Sequence, residues 1–204
     1  TGFSIPVAQR FGAQDYKNMR RFVANAGWLA SFFAVVMTVI VCLMTRQILV
    51  WMQTPDNIID GAYSYIFFVF AGIPATYLYN TLAGIIRALG DSRTPVYFLI
   101  LSSLINIVLD LFFIVQIGTG TAGAAYATVI AQAVSGILCL IYMKKKFDIL
   151  KMHREETRIS TYHLYRLCMM GIPMGLQYSI TAIGSVVIQT AINSLGSIAV
   201  ASVT

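Results

Sequence analysis

One carboxylate in this chain sits where a membrane does not accept a charge without a reason. Asp110 lies deep in the apolar run SSLINIVLDLFFIV. The other seven acidic residues, Asp15, Asp56, Asp60, Asp91, Asp148, Glu155 and Glu156, fall in polar connections or at the ends of apolar runs. An aspartate at the centre of a spanning helix costs about 2.5–3.5 kcal/mol on insertion scales, so it faces a protein interior or a watery cavity and is a candidate for ion or proton chemistry. Asn106 precedes it by four residues, one turn away on the same helix face, with Ser102 and Ser103 a further turn down. An amide beside a carboxylate supplies a donor to the charged form and an acceptor to the protonated form. An asparagine alone more often glues two helices together; an aspartate at mid-span points to function.

The next apolar run offers Gly123, Ala124, Ala127, Thr128, Ala131, Gln132 and Ser135. Small residues at three- and four-residue spacing let backbones approach closely, which accounts for most of this face. Thr128 and Gln132 share one side and reach Asp110 if the two helices pair antiparallel; the other reading has Thr128 bonding its own backbone. Further on, Gln177, Thr181, Ser185, Gln189 and Asn193 place a polar group every four residues, a row that faces a cavity or a partner helix rather than lipid. The preceding Gly171-Ile172-Pro173-Met174-Gly175 contains a proline that frees backbone groups and permits a bend. Cys42, Cys139 and Cys168 show neither disulfide nor zinc spacing and read as small apolar filler. His153 and His163, in a basic stretch, read as solvated. The sequence contains no Walker loop, no HExxH and no GxSxG, so direct use of ATP and a membrane enzyme are both disfavoured.

The elements that position these residues follow from composition. The 204 residues are 58% hydrophobic and only 11% charged, with a mean hydropathy of +0.75. Soluble domains run at about 45–50% apolar and about 25% charged, so this chain needs lipid around it. A span takes about 20 mostly apolar residues. Five complete runs qualify: about Asn25–Thr45, Ile58–Leu82 continuing to Leu89, Pro95–Ile117, Ala122–Met143 and Leu167–Leu195. The expected fold is an all-α polytopic membrane bundle. The opening TGFSIPVA lacks the charged segment and cleavage site of a signal peptide, and the chain reads as a piece of a longer protein.

Connections are sharply marked. Gly90-Asp91-Ser92-Arg93-Thr94-Pro95 has a helix-stopping glycine, a Ser or Thr of N-cap type and a proline for the first helical position. Gly118–Gly123 is an uncharged, glycine-rich turn. Arg10, Lys17, Arg20 and Arg21, then Arg87 and Arg93, then the seven from Lys144 to Arg166 fall on one side of the alternating spans; Arg46 alone falls on the other. The basic side is expected to be cytoplasmic, and the +6 net charge is then a topology signal rather than a nucleic-acid surface. The polar stretch Lys144–Arg166 fits either an amphipathic helix at the headgroups or a plain linker, and in both readings it divides the chain in two.

Together these features resemble the multidrug and toxic compound extrusion (MATE) family of cation- or proton-coupled exporters. The resembling segments are VAQRFGA at 7–13, GIPATYLYNTLAGIIRALGDSRTP at 72–95, INIVLD at 105–110, GAAYATVIAQ at 123–132 and GIPMGLQ at 171–177, in order over essentially the whole chain. The resemblance implies twelve spans in two six-helix lobes. Residues 1–143 would hold the first lobe from late in its second span, residues 144–166 a cytoplasmic linker, and residues 167–204 the start of the second lobe. It also implies that Asp110, Asn106 and Thr128, with the aromatic Tyr65, line a first-lobe site for H+ or Na+, with Na+ at Asp110, and that no cofactor is needed. Gln132, Gln177 and Thr181 are candidates for the substrate cavity. Thr181 stands where some family members carry a glutamate for a second site, which leaves the first-lobe carboxylate as the main coupling candidate; its acidic partner on the first span lies outside this chain. The expected activity is secondary active efflux of amphipathic or cationic small molecules by a monomer in the plasma membrane. A lipid-linked oligosaccharide flippase and a non-transporting scaffold are the rival readings. The flippase is disfavoured because no Lys or Arg lies within a span except near its ends.

Overall fold

The computed structural model describes residues 2–51 and 55–194, with the side chains of 192–194 left out; Leu195 and the end of the last expected segment, and the Asn193 side chain, lie outside the described residues. Among the described residues seven α-helices follow one another: α1 (Ser4–Gly12), α2 (Tyr16–Trp51), α3 (Ile59–Ala71), α4 (Ile73–Ala88), α5 (Arg93–Leu111), α6 (Thr121–Lys146) and α7 (Thr161–Ser194). A helix satisfies the backbone groups of its interior within itself, without the water that lipid does not supply. Among the described residues five stretches are long and apolar enough to cross a bilayer: α2, α3 with α4, α5 with its continuation to Ile117, α6, and α7 through Ala191. The chain is a multi-pass membrane protein.

Several boundaries differ from the hydropathy reading. The helix expected over Asn25–Thr45 runs 36 residues, about 54 Å at 1.5 Å per residue. Hydropathy sees only its apolar centre, whereas the Tyr16–Arg21 turns carry charge and stand beyond the hydrocarbon. The run from Ile58 to Leu89 is split at Gly72. Pro74, in the first turn of α4, has no N–H to give and ends the regular pattern of α3. The Gly72 amide is shared between the Phe68 and Val69 carbonyls, both at 3.1 Å. Gly72 also packs directly on Val129 of α6, whose methyl group occupies the position a Cβ would take. Because Val129 is stiff at χ1, Gly72→Ala is expected to destabilise the bundle by about 1–3 kcal/mol through overpacking. A lowered unfolding midpoint in detergent would show it; an unchanged midpoint would mean that α3 and α4 slide apart freely.

The α4–α5 turn is capped differently from expectation. Gly90 adopts φ +90°, a conformation glycine takes without cost. Ser92 makes no capping bond. Asp91 does so instead, accepting the Thr94 amide at 3.0 Å and the Thr94 hydroxyl at 2.7 Å. The Tyr142 hydroxyl donates to the same carboxylate at 2.7 Å, tying this turn to the end of α6. Partial burial pushes the Asp91 carboxyl up, but the Thr94 and Tyr142 donors and the Lys146 charge together hold it at about 2. Pro95 falls inside the first turn of α5 rather than at its first residue, because the Asp91 cap starts the helix earlier.

The small residues of α6 pack as their spacing suggested. Gly123, Ala127, Ala131, Ser135 and Cys139 are buried, and α6 touches α3, α4 and α5. The main buried cluster gathers Val7, Met19, Phe22, Ile86, Cys139 and Leu167, so the buried core lies toward the basic ends of the helices.

The segment from Lys144 to Arg166 forms no amphipathic helix. α6 runs to Lys146, a 3-10 turn covers Asp148–Leu150, and α7 already starts at Thr161. The linker is pinned to α2. Arg20 grips Glu156 through two bonds, of 2.8 and 2.9 Å, and its remaining nitrogen donates to the Ile149 carbonyl at 3.3 Å. The Asn25 side chain accepts the Ser160 amide at 2.9 Å, and the Trp28 indole donates to the Thr157 carbonyl at 2.9 Å. One sequence reading is corrected here: His163, read as solvated, is buried against Phe22 with ring centroids 4.6 Å apart, while His153 stays exposed; Glu156 in the linker is buried as well.

Candidate functional site

α5 and α6 lie antiparallel, and their register is fixed by a ladder of contacts. Thr94 meets Tyr142, with hydroxyls 3.1 Å apart. The Ser135 hydroxyl donates to the Phe98 carbonyl at 3.4 Å. The Asn106 amide donates to the Thr128 hydroxyl at 3.2 Å, and the Phe113 and Tyr126 rings stand 6.1 Å apart. In this register Asp110 opposes the turn around Ala124, and Gln132 opposes Ser102. Eight residues separate positions 102 and 110, about 12 Å along the helix axis, so Gln132 does not reach Asp110.

Asp110 and Asn106 share a face, yet the Asn106 amide turns to Thr128 instead of the carboxylate. Thr128 in turn donates to its own Ala124 carbonyl at 3.0 Å. Its hydroxyl thus bonds its own backbone and crosses to α5 at once, because a hydroxyl both donates and accepts. Asp110 is left half-buried, and its Oδ1 is fully enclosed without a hydrogen-bond partner; Gln132 Oε1 is in the same condition. A buried acceptor without a donor costs about 1–3 kcal/mol, more when charged. Oδ1 of Asp110 therefore keeps an acceptor position that no donor among the described residues fills.

Immediately after Asp110 the helix changes hand-hold. Residues Phe112–Ile117 form a π-helical turn, closed at Gly118 with φ +70°, where the backbone turns into α6. Such turns are rare and cluster at functional sites. Nothing in the sequence FFIVQI distinguishes it from ordinary helix, so sequence reasoning missed it.

Tyr65 stands on α3, about two-fifths exposed, at the edge of an open hollow of 840 Å³ that it shares with Ile114 and Ala124. Ile114 lies one turn beyond Asp110, and Ala124 is the residue whose carbonyl takes the Thr128 hydroxyl. Tyr65 thus shares a hollow with residues one turn from Asp110 and from Thr128, while Asp110, Asn106 and Thr128 themselves do not line it. Gln177 and Thr181 are not brought there. Among the described residues α7 packs only on α1 and α2. Both side chains are exposed, and the Thr181 hydroxyl donates to the Gln177 carbonyl at 2.9 Å.

With this geometry in place, comparison with known proteins settles the family. A family model described as MatE matches residues 1–112, more than half of the chain. The chain belongs to the MatE family. Among similar proteins is the "Probable multidrug resistance protein YoeA" of Bacillus subtilis (strain 168), 29% identical over 211 residues, covering 99% of this chain and 45% of the relative. A solved structure of a multidrug resistance MATE family transporter of the MOP superfamily in its inward-facing conformation superposes with a TM-score of 0.78 at 26% identity, over 84% of this chain and 39% of that one. An outward-facing conformation gives a TM-score of 0.87 at 24% identity, over 96% and 44%; at that identity it attests the fold. The chain therefore spans less than half the length of these family members. The resemblance read from VAQRFGA, Gly72–Pro95 and the later segments is borne out, and so is the polytopic helical fold.

Proposed function

We propose that this chain forms part of a secondary active exporter that moves amphipathic, often cationic, compounds outward in exchange for H+ or Na+, with Asp110 as the coupling carboxylate. The observation that carries this reading is the enclosed, unpartnered Asp110 Oδ1 in the middle of an apolar spanning helix. A proton or cation arriving there neutralises the carboxylate and relieves its exposure to low-dielectric surroundings. The neighbouring Asn106–Thr128 bond then has a new partner to compete for. A shift of this bond changes how α5 seats on α6, and so couples ion occupancy to the hollow beside Tyr65 where substrate would lie. Gln132, one station deeper along the α5–α6 seam, and Gln177 and Thr181 on the uncovered face of α7 are assigned to the wall of the substrate cavity.

The basic end of the bundle is assigned to the cytoplasm of a plasma membrane, by the thirteen-to-one division of Lys and Arg. Residues 1–143 then form part of the first lobe, 144–166 the linker and 167–204 the start of the second lobe, in a protein that works as a monomer. Positive side chains stay at span ends, which suits a cationic or neutral substrate. The test is expression of the intact protein in an efflux-deficient bacterium. Tolerance to a lipophilic cation such as ethidium is expected to rise, and to return to baseline when the ion gradient is collapsed. A change in cell-wall lipids with no change in dye tolerance would identify a lipid-linked oligosaccharide flippase instead.

A further inference from the structure

We propose that the basic end of α6 carries a binding site for an anionic phospholipid, with the phosphate between Lys144 and Lys151 and one acyl chain laid over Met143 and Met152. A hollow of 590 Å³ opens there, floored by Leu140, Met143, Phe147, Leu150 and Met152 and rimmed by the two lysines. A second apolar hollow of 530 Å³ between α2 and α4 shares Met143 and Met152 as its wall. On its α2 side Gly27, Ala30 and Ala34 leave the width of an alkyl chain. Met143 and Met152 line both hollows, and the proposed acyl chain follows this apolar track from the basic rim.

Depth and charge both point to a lipid. The Trp28 indole, donating to the Thr157 carbonyl, is the kind of amphipathic side chain that settles at headgroup level, and the linker bearing Lys151 sits at that level with it. Among the described residues Lys144 makes no ion pair. The Lys151–Asp148 pair, at 3.0 Å, leaves both side chains about three-quarters exposed (75% and 78%), so water screens it and a phosphate competes. Lys146 is engaged elsewhere, over the Tyr142 ring at 5.3 Å. A positive rim above an apolar floor complements an anionic headgroup above an acyl chain. A zwitterionic lipid lacks the net charge, and a free phosphate lacks the chain. Basic pockets beside spanning helices recognise anionic lipids by this combination.

The test is native mass spectrometry of the intact protein in detergent with equal amounts of phosphatidylglycerol and phosphatidylcholine of identical chains. The readout is retained lipid and does not depend on transport. Wild type is expected to retain phosphatidylglycerol preferentially. K144Q with K151Q should cut that preference about tenfold, D148N should raise it, and M152W should displace the lipid by filling the track. A control pair at the same end of the bundle, K17Q with R93Q, should leave the preference unchanged. Equal retention of the two lipids, or the same loss in the control pair, would overturn the proposal. Displacement by glycerol 3-phosphate as readily as by the lipid would overturn it in favour of a free-anion site.

Discussion

Asp110→Asn is expected to abolish ion-coupled efflux while leaving the protein inserted, folded and no less stable than wild type. The substitution keeps shape and removes charge. If a cation or proton binds at Asp110, the loss of a buried charged contact is worth about 2–5 kcal/mol. At tenfold per 1.4 kcal/mol this weakens ion binding by roughly thirtyfold or more. Stability should move the other way, because an unpartnered aspartate in the middle of a span is itself costly and Oδ1 has no bond to lose. Efflux from vesicles under an ion gradient, with the unfolding midpoint in detergent, separates the readings. A helix-gluing Asp110 predicts a lowered midpoint with transport preserved in proportion to folded protein. Thr128→Val provides a graded comparison: it breaks the Asn106–Thr128 link but leaves the carboxylate, and should slow transport without abolishing it.

Glu156→Gln should lower thermal stability strongly without touching the ion site. Arg20 and Glu156 join the linker to α2 through a bidentate pair, with side chains 19% and 5% exposed. Removing one partner of a buried pair leaves an uncompensated charge and costs about 3–5 kcal/mol; the residual exposure of Arg20 lets water reach it, so roughly 2–3 kcal/mol is expected here. The double variant Arg20→Met with Glu156→Leu should recover most of that loss, because it leaves no orphaned charge. The pair also sets a pH window. The Arg20 hydrogen bonds, opposed by burial and helped by the His153 amide, hold the Glu156 carboxyl at about 2, below its ordinary 4.5. A lowered carboxyl contributes stability that is full above its unfolded value and is lost as pH falls toward the folded one. Wild type should therefore lose stability between about pH 4.5 and 2 more steeply than Glu156→Gln. Superimposable profiles would show that the pair contributes nothing.

Hydropathy made the spans legible because lipid demands length and apolarity, and Asp110 was legible because a mid-span carboxylate violates that demand. The family-specific segments then placed Asn106 and Thr128 beside it. What the sequence did not show depends on register and on tertiary contact. The spacing of Thr128 and Gln132 put both on one face, but only the ladder from Thr94–Tyr142 to Phe113–Tyr126 reveals that Gln132 stands two turns away from Asp110. Ser92 looked like the helix cap, yet Asp91 takes that role because Tyr142 of a distant helix turns the same carboxylate toward the turn. Glu156 stood in the linker among other charges, and nothing near it in the sequence marks its pairing with Arg20, 136 residues earlier. The π-helical turn after Asp110 has no compositional mark at all. Local chemistry identified the elements, and cross-chain pairing decided what each polar residue does.

The central claim is that Asp110 holds the coupling ion, and substrate-triggered ion release reads this most directly. Purified intact protein, loaded with H+ in weakly buffered detergent solution or with Na+ at a sodium electrode, is mixed with a lipophilic cation such as ethidium. Wild type should release close to one ion per molecule, and Asp110→Asn should bind the dye and release none. Release by Asp110→Asn at the wild-type stoichiometry would contradict the account.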